Sequence, residues 1–259
     1  TIGASNTYGP GALPDEFYQA DIALFGATAL VPQLHDNLAD LVEKAKAAGC
    51  VTVVTTVFDF RNEALHPGAR WPLGDTARTL KATDLFIADK EEGLRISGCT
   101  TIGEAVRWFA DAGAAAAVIT DGPNPVVYCS DGKVFAPCTP SLLPVSDAVV
   151  KRRMIDTTLV GDTTGCGDNF AGGVLASLAV QLGEPVAKRS LPNAIAVGVC
   201  AGGGACFQVG GVYLEKECGE KRRQLESLYV DYVRQIAHQH RLPDRMLGDK
   251  IVGTDPMLG

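Results

Sequence analysis

The sequence lacks several features that mark whole classes of protein. No apolar run approaches the roughly 20 residues that a bilayer-spanning helix needs, so no membrane is expected as a partner. The eight cysteines form no Cys-x-x-Cys pair and no zinc-finger spacing, which argues against a structural zinc ion and a disulfide framework. No internal repeat or low-complexity linker interrupts the 259 residues. These absences indicate a globular protein of a reducing compartment, and we expect a cytoplasmic location.

The charge balance is acidic. The chain has 23 Lys and Arg against 30 Asp and Glu, a formal net charge of −7, which argues against nucleic acid as a partner. ATP stays compatible with this charge, because it needs only a local positive field. The hydrophobic fraction of 46% and the 29 glycines are typical of a globular α/β protein with a large core.

The most informative stretch is Gly161–Gly173, which reads Gly-Asp-Thr-Thr-Gly-Cys-Gly-Asp-Asn-Phe-Ala-Gly-Gly. It turns through three glycines within seven residues and then enters an apolar pattern of three and four that predicts a helix. Such a helix start presents free backbone N–H groups, which suit an anion. Gly165 and Gly167 would let the backbone approach a ligand closely, with Asp168 beside it. An Asp that only caps the helix is the alternative.

From Asp162 to Gly173 this stretch resembles the C-terminal signature of ribokinase-like (PfkB) carbohydrate and nucleoside kinases, with Cys166 in place of the usual alanine. The resemblance implies a three-layer α/β fold, a mostly parallel twisted sheet with helices on both faces. It also implies ATP and Mg²⁺ as cofactors and a small sugar or nucleoside as substrate, while dependence on a monovalent cation stays open. Asp168 is then the catalytic base. The N–H groups of Gly165, Cys166 and Gly167 form an anion hole, and Thr163 contacts the nucleotide.

A second acidic motif follows an earlier strand. Strands and helices alternate in the first half of the chain, which predicts parallel strands joined by right-handed crossovers. The strand 84–88 is followed by Asp89 and Glu92, an arrangement that resembles the family's Asn-x-x-Glu motif for Mg²⁺ and phosphates. Asp89 stands where Asn is usual, which Mg²⁺ tolerates because it keeps several waters. An acidic helix start favoured by the helix dipole is the alternative.

Two further sites of nucleotide contact are implied by the resemblance. The strand 114–120 ends in Thr120-Asp121-Gly122-Pro123-Asn124-Pro125, similar to the family's nucleotide turn with Pro125 replacing its last glycine. Thr120 and Gly122 are the expected contacts there. Asn193 begins a helix of small residues, 192–206, and by resemblance borders the adenine pocket. Helix packing is the alternative account of that segment.

Three local patterns give more detailed expectations. Asp131-Gly132 predicts a two-residue hairpin turn between strands 126–129 and 133–136, followed by a proline-rich loop over 137–144. Asp36 is predicted to cap a helix that ends near Gly49. Asp59 and Arg61 follow a strand, where they either face phosphates or form a surface ion pair.

We expect a kinase-like domain over residues 1–212 and a helical extension over 213–259. The extension's apolar face would cover core or lie at a subunit interface, as in a homodimer, and its charged face would be solvated. The chain starts at Thr1, and the family's Gly-Gly substrate loop and lid are not found in it. We therefore expect a fragment that binds nucleotide without phosphorylating a sugar.

Three functions stay open from the sequence. The first is an ATP-dependent kinase that phosphorylates an alcohol group of a sugar or, alternatively, of a nucleoside. The second is a catalytically inactive, kinase-like protein that binds a ligand or partner. The third is thiol chemistry at Cys166, because a helix start lowers the pKa of a thiol.

Overall fold

The computed structural model describes residues 4–155, 161–243 and 246–247. The chain divides into two compact units, residues 1–142 and 143–259. The strands are β1 (Ile22–Gly26), β2 (Val51–Thr55), β3 (Leu85–Asp89), β4 (Ala116–Asp121), β5 (Asn124–Ser130) and β6 (Cys138–Leu143). The helices of the first unit are α1 (Pro32–Asp36), α2 (Leu38–Ala47), α3 (Phe60–Leu65), α4 (Thr76–Ala82), α5 (Lys90–Ser97) and α6 (Ile102–Asp111). Those of the second unit are α7 (Asp147–Ile155), α8 (Cys166–Gln181), α9 (Leu191–Ala205) and α10 (Glu220–Ile236).

The six strands form one sheet in the order β1-β2-β3-β4-β5-β6. The first four run parallel, with Ile22 opposite Val51 and Phe86 opposite Ala117, and each crossover between them contains at least one helix. Strand β3 is buried along Leu85–Ala88, the run of consecutive apolar residues that a covered parallel strand requires. The predicted α/β class, with a mostly parallel sheet, is confirmed. None of the helices in the described part of the chain is long and apolar enough to cross a bilayer.

The prediction of a hairpin turn at Asp131-Gly132 is wrong. Strand β5 pairs antiparallel with β4, and the two-residue turn between them is Gly122-Pro123, with Asp121 opposite Asn124. Gly122 has a φ of 53°, which glycine adopts without strain. Asp131 instead forms a local Asx turn, in which its carboxylate accepts the N–H of Lys133 at 2.9 Å.

The proline-rich segment 137–144 is also not a plain loop. Most of it is strand β6, the last strand of the sheet in the described part of the chain. Pro140 is exposed there, and an edge strand tolerates proline because one of its sides needs no partner.

The predicted helix cap at Asp36 is wrong as well. Asp36 is the last residue of α1, and α2 follows Asn37 without a side-chain cap. The carboxylate of Asp36 instead pairs with the guanidinium of Arg61, with one Nη1–Oδ2 distance of 3.0 Å. The surface ion pair is therefore the observed arrangement for Arg61. Asp59 is buried and caps α3 by accepting the N–H of Asn62 at 2.9 Å.

The second unit is organised around the close pair α8 and α9. A Cβ added at Gly173 would lie 2.8 Å from the carbonyl oxygen of Val197, and one at Gly198 would lie 2.9 Å from that of Phe170. Any larger residue would push the helices apart, so the glycines permit this packing, as the small residues of α9 predicted. The predicted apolar face of α10 is confirmed, because four of its members are buried: Leu228, Tyr229, Tyr232 and Ile236.

Candidate functional site

The loop before α8 is a tight turn over Thr163–Cys166. The N–H of Cys166 donates to the carbonyl oxygen of Thr163 at 3.2 Å. Gly165 has φ 71° and ψ 4°, close to the values that the third residue of a type II turn requires. A Cβ added at Gly165 would also lie 3.0 Å from the Cα of Gly211. Glycine is therefore required here twice, for the backbone angle and for the close neighbour.

Asp162 and Asn169 hold this turn against the segment 208–211. The carboxylate of Asp162 accepts the N–H of Thr164 at 2.8 Å and the N–H of Gly210 at 3.2 Å, and these bonds lower the pKa of Asp162. The side-chain amide of Asn169 donates to the carbonyl oxygens of Gly165 and Gly211, at 2.9 and 3.0 Å. The role of Asn169 was missed from the sequence, because segment 208–211 is distant along the chain and no pattern links the two.

The free N–H groups at the start of α8 differ from those predicted. The N–H of Cys166 closes the turn, so it is not available to an anion. Within residues 161–243, the N–H groups of Gly165, Gly167 and Asp168 have no acceptor. A Cβ added at Gly167 would meet nothing within 4 Å, so the backbone there lies open to solvent. The open donors of the first helical turn are therefore those of Gly167 and Asp168.

The carboxylate of Asp168 is exposed and borders a cleft of about 590 Å³ in the second unit. Lys221 and Arg222, in the first turn of α10, line the same cleft. The ammonium group of Lys221 donates to the side-chain oxygen of Asn169 at 3.1 Å. The prediction that the charged face of α10 is only solvated is wrong for Lys221, because this half-buried side chain turns back toward the start of α8.

The remainder of this cleft is largely apolar. It is lined by small residues of the two central helices, among them Gly172, Ala176, Val197 and Ala201. The cleft thus joins a charged end at Asp168 to an apolar stretch along α8 and α9. This is the combination of a few polar groups with apolar walls that is typical of cofactor sites.

Asn193 lies at the other end of the α8–α9 pair. Since these helices are antiparallel, the nine residues from Asn193 to Gly202, which is next to Cys166, span about 14 Å. The side-chain oxygen of Asn193 accepts the hydroxyl of Tyr229 at 2.8 Å. The structure therefore does not bring Asn193 to the Gly165–Asp168 loop. Helix packing describes its observed contact, and contact with adenine stays a prediction.

In the first unit, Asp89 and Glu92 form a capping box at the start of α5. The carboxylate of Asp89 accepts the N–H of Glu92 at 2.8 Å, and that of Glu92 accepts the N–H of Asp89 at 3.4 Å. The hydroxyl of Thr56 also donates to Glu92. Glu92 is only 8% exposed, and this burial raises its pKa, with the charge of Asp89 adding to the shift.

The acidic pair fits a magnesium ion held through water. Among the described residues, no Lys or Arg pairs with Glu92, so its charge is left without a protein cation. The same residues contain no group of three side chains that could form a protein cage for a metal. Mg²⁺ needs no such cage, because it retains waters and takes one or two carboxylates together with phosphates.

Thr120 and Gly122 lie beside this pair. Asp89 stands directly opposite Thr120 in the parallel pairing of β3 and β4. A cleft of about 450 Å³ is lined by Asp89, Lys90, Thr120 and Gly122, among others. Lys90, which the sequence did not single out, pairs with Asp121 at 3.1 Å. The structure therefore brings the predicted residues of the first unit to one edge of the sheet.

The comparison with protein families matches residues 12–216 to the pfkB family of carbohydrate kinases. The chain belongs to this family. No match was found among curated proteins.

Solved structures of kinases share the fold. Arabidopsis thaliana ribokinase, complexed with ribose and ATP, is 17% identical with a TM-score of 0.58; the match covers 88% of this chain and 63% of that one. The aminoimidazole riboside kinase of Salmonella enterica is 18% identical with a TM-score of 0.57; the match covers 86% of this chain and 66% of that one. The adenosine kinase of Sinorhizobium meliloti is 20% identical with a TM-score of 0.60; the match covers 83% of this chain and 58% of that one. These likenesses confirm the ribokinase-like fold, and this chain spans less than two thirds of the length of each of these proteins.

The family match places the candidate residues in two groups. The stretches around Asp89, Thr120, Asp168 and Asn193 lie inside residues 12–216. Lys221, on α10, lies beyond residue 216, where the match to the pfkB family ends. The family match therefore gives no information about Lys221.

Proposed function

We propose that the protein transfers the γ-phosphoryl group of ATP to an alcohol group of a sugar or sugar-like molecule. One observation carries this proposal. In a chain of the pfkB family, the start of α8 leaves the N–H groups of Gly167 and Asp168 without an acceptor among residues 161–243, with an exposed carboxylate beside them. Every other carboxylate of the two motifs is engaged in holding the backbone, which leaves Asp168 as the base.

Phosphoryl transfer asks a protein mainly for positioning and for stabilisation of charge on the phosphoryl oxygens. The two open N–H groups offer that stabilisation in fixed positions, because the turn and Asn169 hold the loop. Asp168 would accept the proton of the acceptor alcohol. Lys221 adds positive charge next to Asn169, and Arg222 and Glu215 line the same cleft.

Magnesium would be held through water by Asp89 and Glu92, and when bound it neutralises charge on the phosphates. Thr120, Gly122, Thr163 and Asn193 remain our proposed nucleotide contacts. We also place the protein in the cytoplasm, because its eight cysteines are all free in the described residues, as a reducing compartment would keep them.

The acceptor is a sugar or, alternatively, a nucleoside. The solved neighbours include proteins whose names specify ribose, a riboside and adenosine, so the pentose ring is the common element. We therefore place pentoses first in the acceptor panel, followed by ribonucleosides and hexoses.

The test uses the full 259-residue chain and two readouts. Calorimetry with Mg²⁺ measures ATP binding, and mass spectrometry detects phosphorylated product across the acceptor panel. We expect ATP binding in the micromolar to millimolar range. Transfer to at least one acceptor would support the proposal and would contradict the expectation from the sequence that this chain binds nucleotide without phosphorylating a sugar. Absence of ATP binding would contradict the proposal. Binding without transfer to any acceptor would fit both the kinase-like binding protein and the expected lack of a substrate loop and lid.

A further inference from the structure

Two cysteines meet at the start of α8. Cys166 is the first residue of α8, and Cys206 directly follows α9, 40 positions further along the chain. Their sulfur atoms are 3.3 Å apart. Both side chains are half-buried, and in its protonated form the thiol of Cys206 donates to the carbonyl oxygen of Gly202 at 3.7 Å. The two thiols are therefore already in contact in the folded protein.

The packing of α8 against α9 fixes this contact. A Cβ added at Gly202 would lie 2.9 Å from the carbonyl oxygen of Cys166, so the end of α9 touches the start of α8. The loop that follows Cys206 is tied back by the bond from the N–H of Asp162 to the carbonyl oxygen of Gln208, at 3.2 Å. These contacts hold the backbones of the two cysteines close together.

The charges around the pair favour one thiolate. The hydrogen bond with Cys166, together with the charge of Arg153, lowers the pKa of Cys206 to about 6. The guanidinium of Arg153 donates to the carbonyl oxygens of Cys206 and Gly161, at 2.8 and 3.3 Å. The same hydrogen bond raises the pKa of Cys166, and Asp162 adds to that shift. Cys206 is thus the nucleophile and Cys166 the neutral thiol.

We propose that Cys166 and Cys206 are a modification site at which a hydroperoxide forms a reversible disulfide. The thiolate of Cys206 attacks the peroxide oxygen, the O–O bond breaks, and hydroxide or alkoxide leaves while the sulfur becomes a sulfenic acid. The sulfur of Cys166 then attacks the sulfenic sulfur and loses its proton, and water leaves as the S–S bond forms. Two thiols are oxidised and one peroxide is reduced, and a dithiol reductant reverses the change.

The remaining cysteines make poor competitors. Cys50, Cys129 and Cys200 are buried, and burial raises the pKa of Cys129 to about 11. Cys99 and Cys138 are half-buried, and burial raises the pKa of Cys138. Cys218 is exposed, and among the described residues no cysteine sulfur lies against it. Reaction with peroxide should therefore concentrate on Cys206.

The disulfide would reach the phosphate site, and this consequence rests on the proposed function. An S–S bond is about 2 Å long, so the sulfur atoms must approach by more than 1 Å from their present separation. Cys166 directly precedes Gly167 and Asp168, whose N–H groups are the proposed anion donors. A misplacement of about 1 Å in a catalytic site can cost about 10²-fold in rate, so a backbone shift that accompanies the disulfide would weaken the phosphate site.

The chemical test needs no kinase activity. The full chain is treated with hydrogen peroxide, blocked with N-ethylmaleimide, digested without reductant and analysed by mass spectrometry. We expect a peptide pair joined through Cys166 and Cys206, two hydrogen atoms lighter than the thiols and separated by dithiothreitol. Cys206→Ala and Cys206→Ser should both lack it, whereas Cys218→Ala should retain it. Recovery of Cys166 and Cys206 as two separate adducts, or joined to other cysteines, would overturn the proposal.

The link to the phosphate site is tested by ATP calorimetry on the same samples. We expect oxidised wild-type protein to bind ATP roughly tenfold more weakly than reduced protein, with affinity restored by dithiothreitol. Peroxide-treated Cys206→Ala should bind ATP as its untreated form does. Equal affinity of the oxidised and reduced wild-type protein would remove the link. If reduced protein binds no ATP, the proposed function fails while the disulfide result stands by itself.

Discussion

The starts of α6 and α8 differ in whether the protein itself satisfies the free N–H groups of the first helical turn. At α6, Thr101 accepts the N–H of Glu104 at 3.2 Å and Glu104 accepts the N–H of Thr101 at 3.0 Å, so the helix closes itself. At α8, the capping position is Gly165, which has no side chain to offer, and Gly167 and Asp168 find no acceptor among residues 161–243.

The difference separates acids that hold the backbone from an acid that is free to react. Glu104, Asp89 and Asp162 each accept backbone N–H groups, whereas Asp168 is exposed and has no partner among the described residues. A glycine at the cap costs stability relative to Ser, Thr or Asp. An unclosed helix start in the family signature is therefore the place where a ligand, and not the chain, is expected to supply the partner.

The largest effect is expected from Asp168→Asn. If Asp168 accepts the proton of the acceptor, the variant should lose about 10²- to 10⁴-fold in turnover and keep ATP affinity within a few-fold. Asp147→Asn is the matched control, because Asp147 is also an exposed acid in the first turn of a helix of the same unit. Steady-state kinetics and calorimetry measure both. Equal turnover of the two variants would remove Asp168 from the role of base.

The next largest effect is expected from Gly167→Val. Gly167 and Gly103 each hold the second position of their helix, and a Cβ would meet nothing within 4 Å at the first and only a flexible arginine at 3.9 Å at the second. Valine should thus cost similar, small stability at both places. Only at Gly167 would the valine side chain block access to the open N–H groups at the start of α8. We therefore expect Gly167→Val to bind ATP about 10- to 100-fold more weakly than the wild type.

Calorimetry and thermal melting of the two valine variants decide this comparison. Gly103→Val should bind ATP as the wild type does. If Gly167→Val does so too while remaining folded, the start of α8 is not an anion site.

The contrast also shows how far the sequence alone could go. Alternation of β-branched strands with amphipathic helices predicted the parallel sheet. The two-residue hairpin turn was predicted at Asp131-Gly132 but lies at Gly122-Pro123. Both dipeptides are local turn signals, and the pairing of β5 with β4 decides between them.

The sequence singled out the loop before α8 but not its hydrogen bonds, and the functional roles of its residues stay predictions. The signature located Gly165, Gly167 and Asp168, yet assigned the N–H of Cys166 to the ligand, where the type II turn uses it internally. Lys221 and Cys206 were missed because both reach the start of α8 from distant helices. Contacts between residues 40 or more positions apart leave no local pattern.

A smaller effect is expected at the first unit from Glu92→Gln. Glutamine also serves in a capping box, so α5 should persist, while the charge offered to Mg²⁺ is lost. The Mg²⁺ concentration for half-maximal ATP-dependent activity, or for tight ATP binding, should rise several-fold. Glu104→Gln, the same change in an exposed capping box, should leave it unaltered. An unchanged Mg²⁺ requirement in Glu92→Gln would assign Asp89 and Glu92 to the helix start alone.

The smallest expected effect is on how protein stability depends on pH. It is measured by comparing Glu92→Gln and Glu104→Gln with the wild type in the absence of Mg²⁺. Burial raises the pKa of Glu92 in the folded protein, so its contribution to stability is complete below the pKa of the unfolded chain and is lost as pH rises through the raised value. Hydrogen bonds from Thr100 and Thr101 lower the pKa of Glu104, so its contribution is present above the unfolded pKa and is lost as pH falls. At neutral pH, Glu92→Gln should therefore raise the melting temperature and Glu104→Gln should lower it.

Both differences from the wild type should shrink as the pH is taken from about 8 to about 4. Melting curves across that range provide the measurement, and shifts of the same sign at neutral pH would mean that the two capping boxes do not differ in the way that their burial indicates.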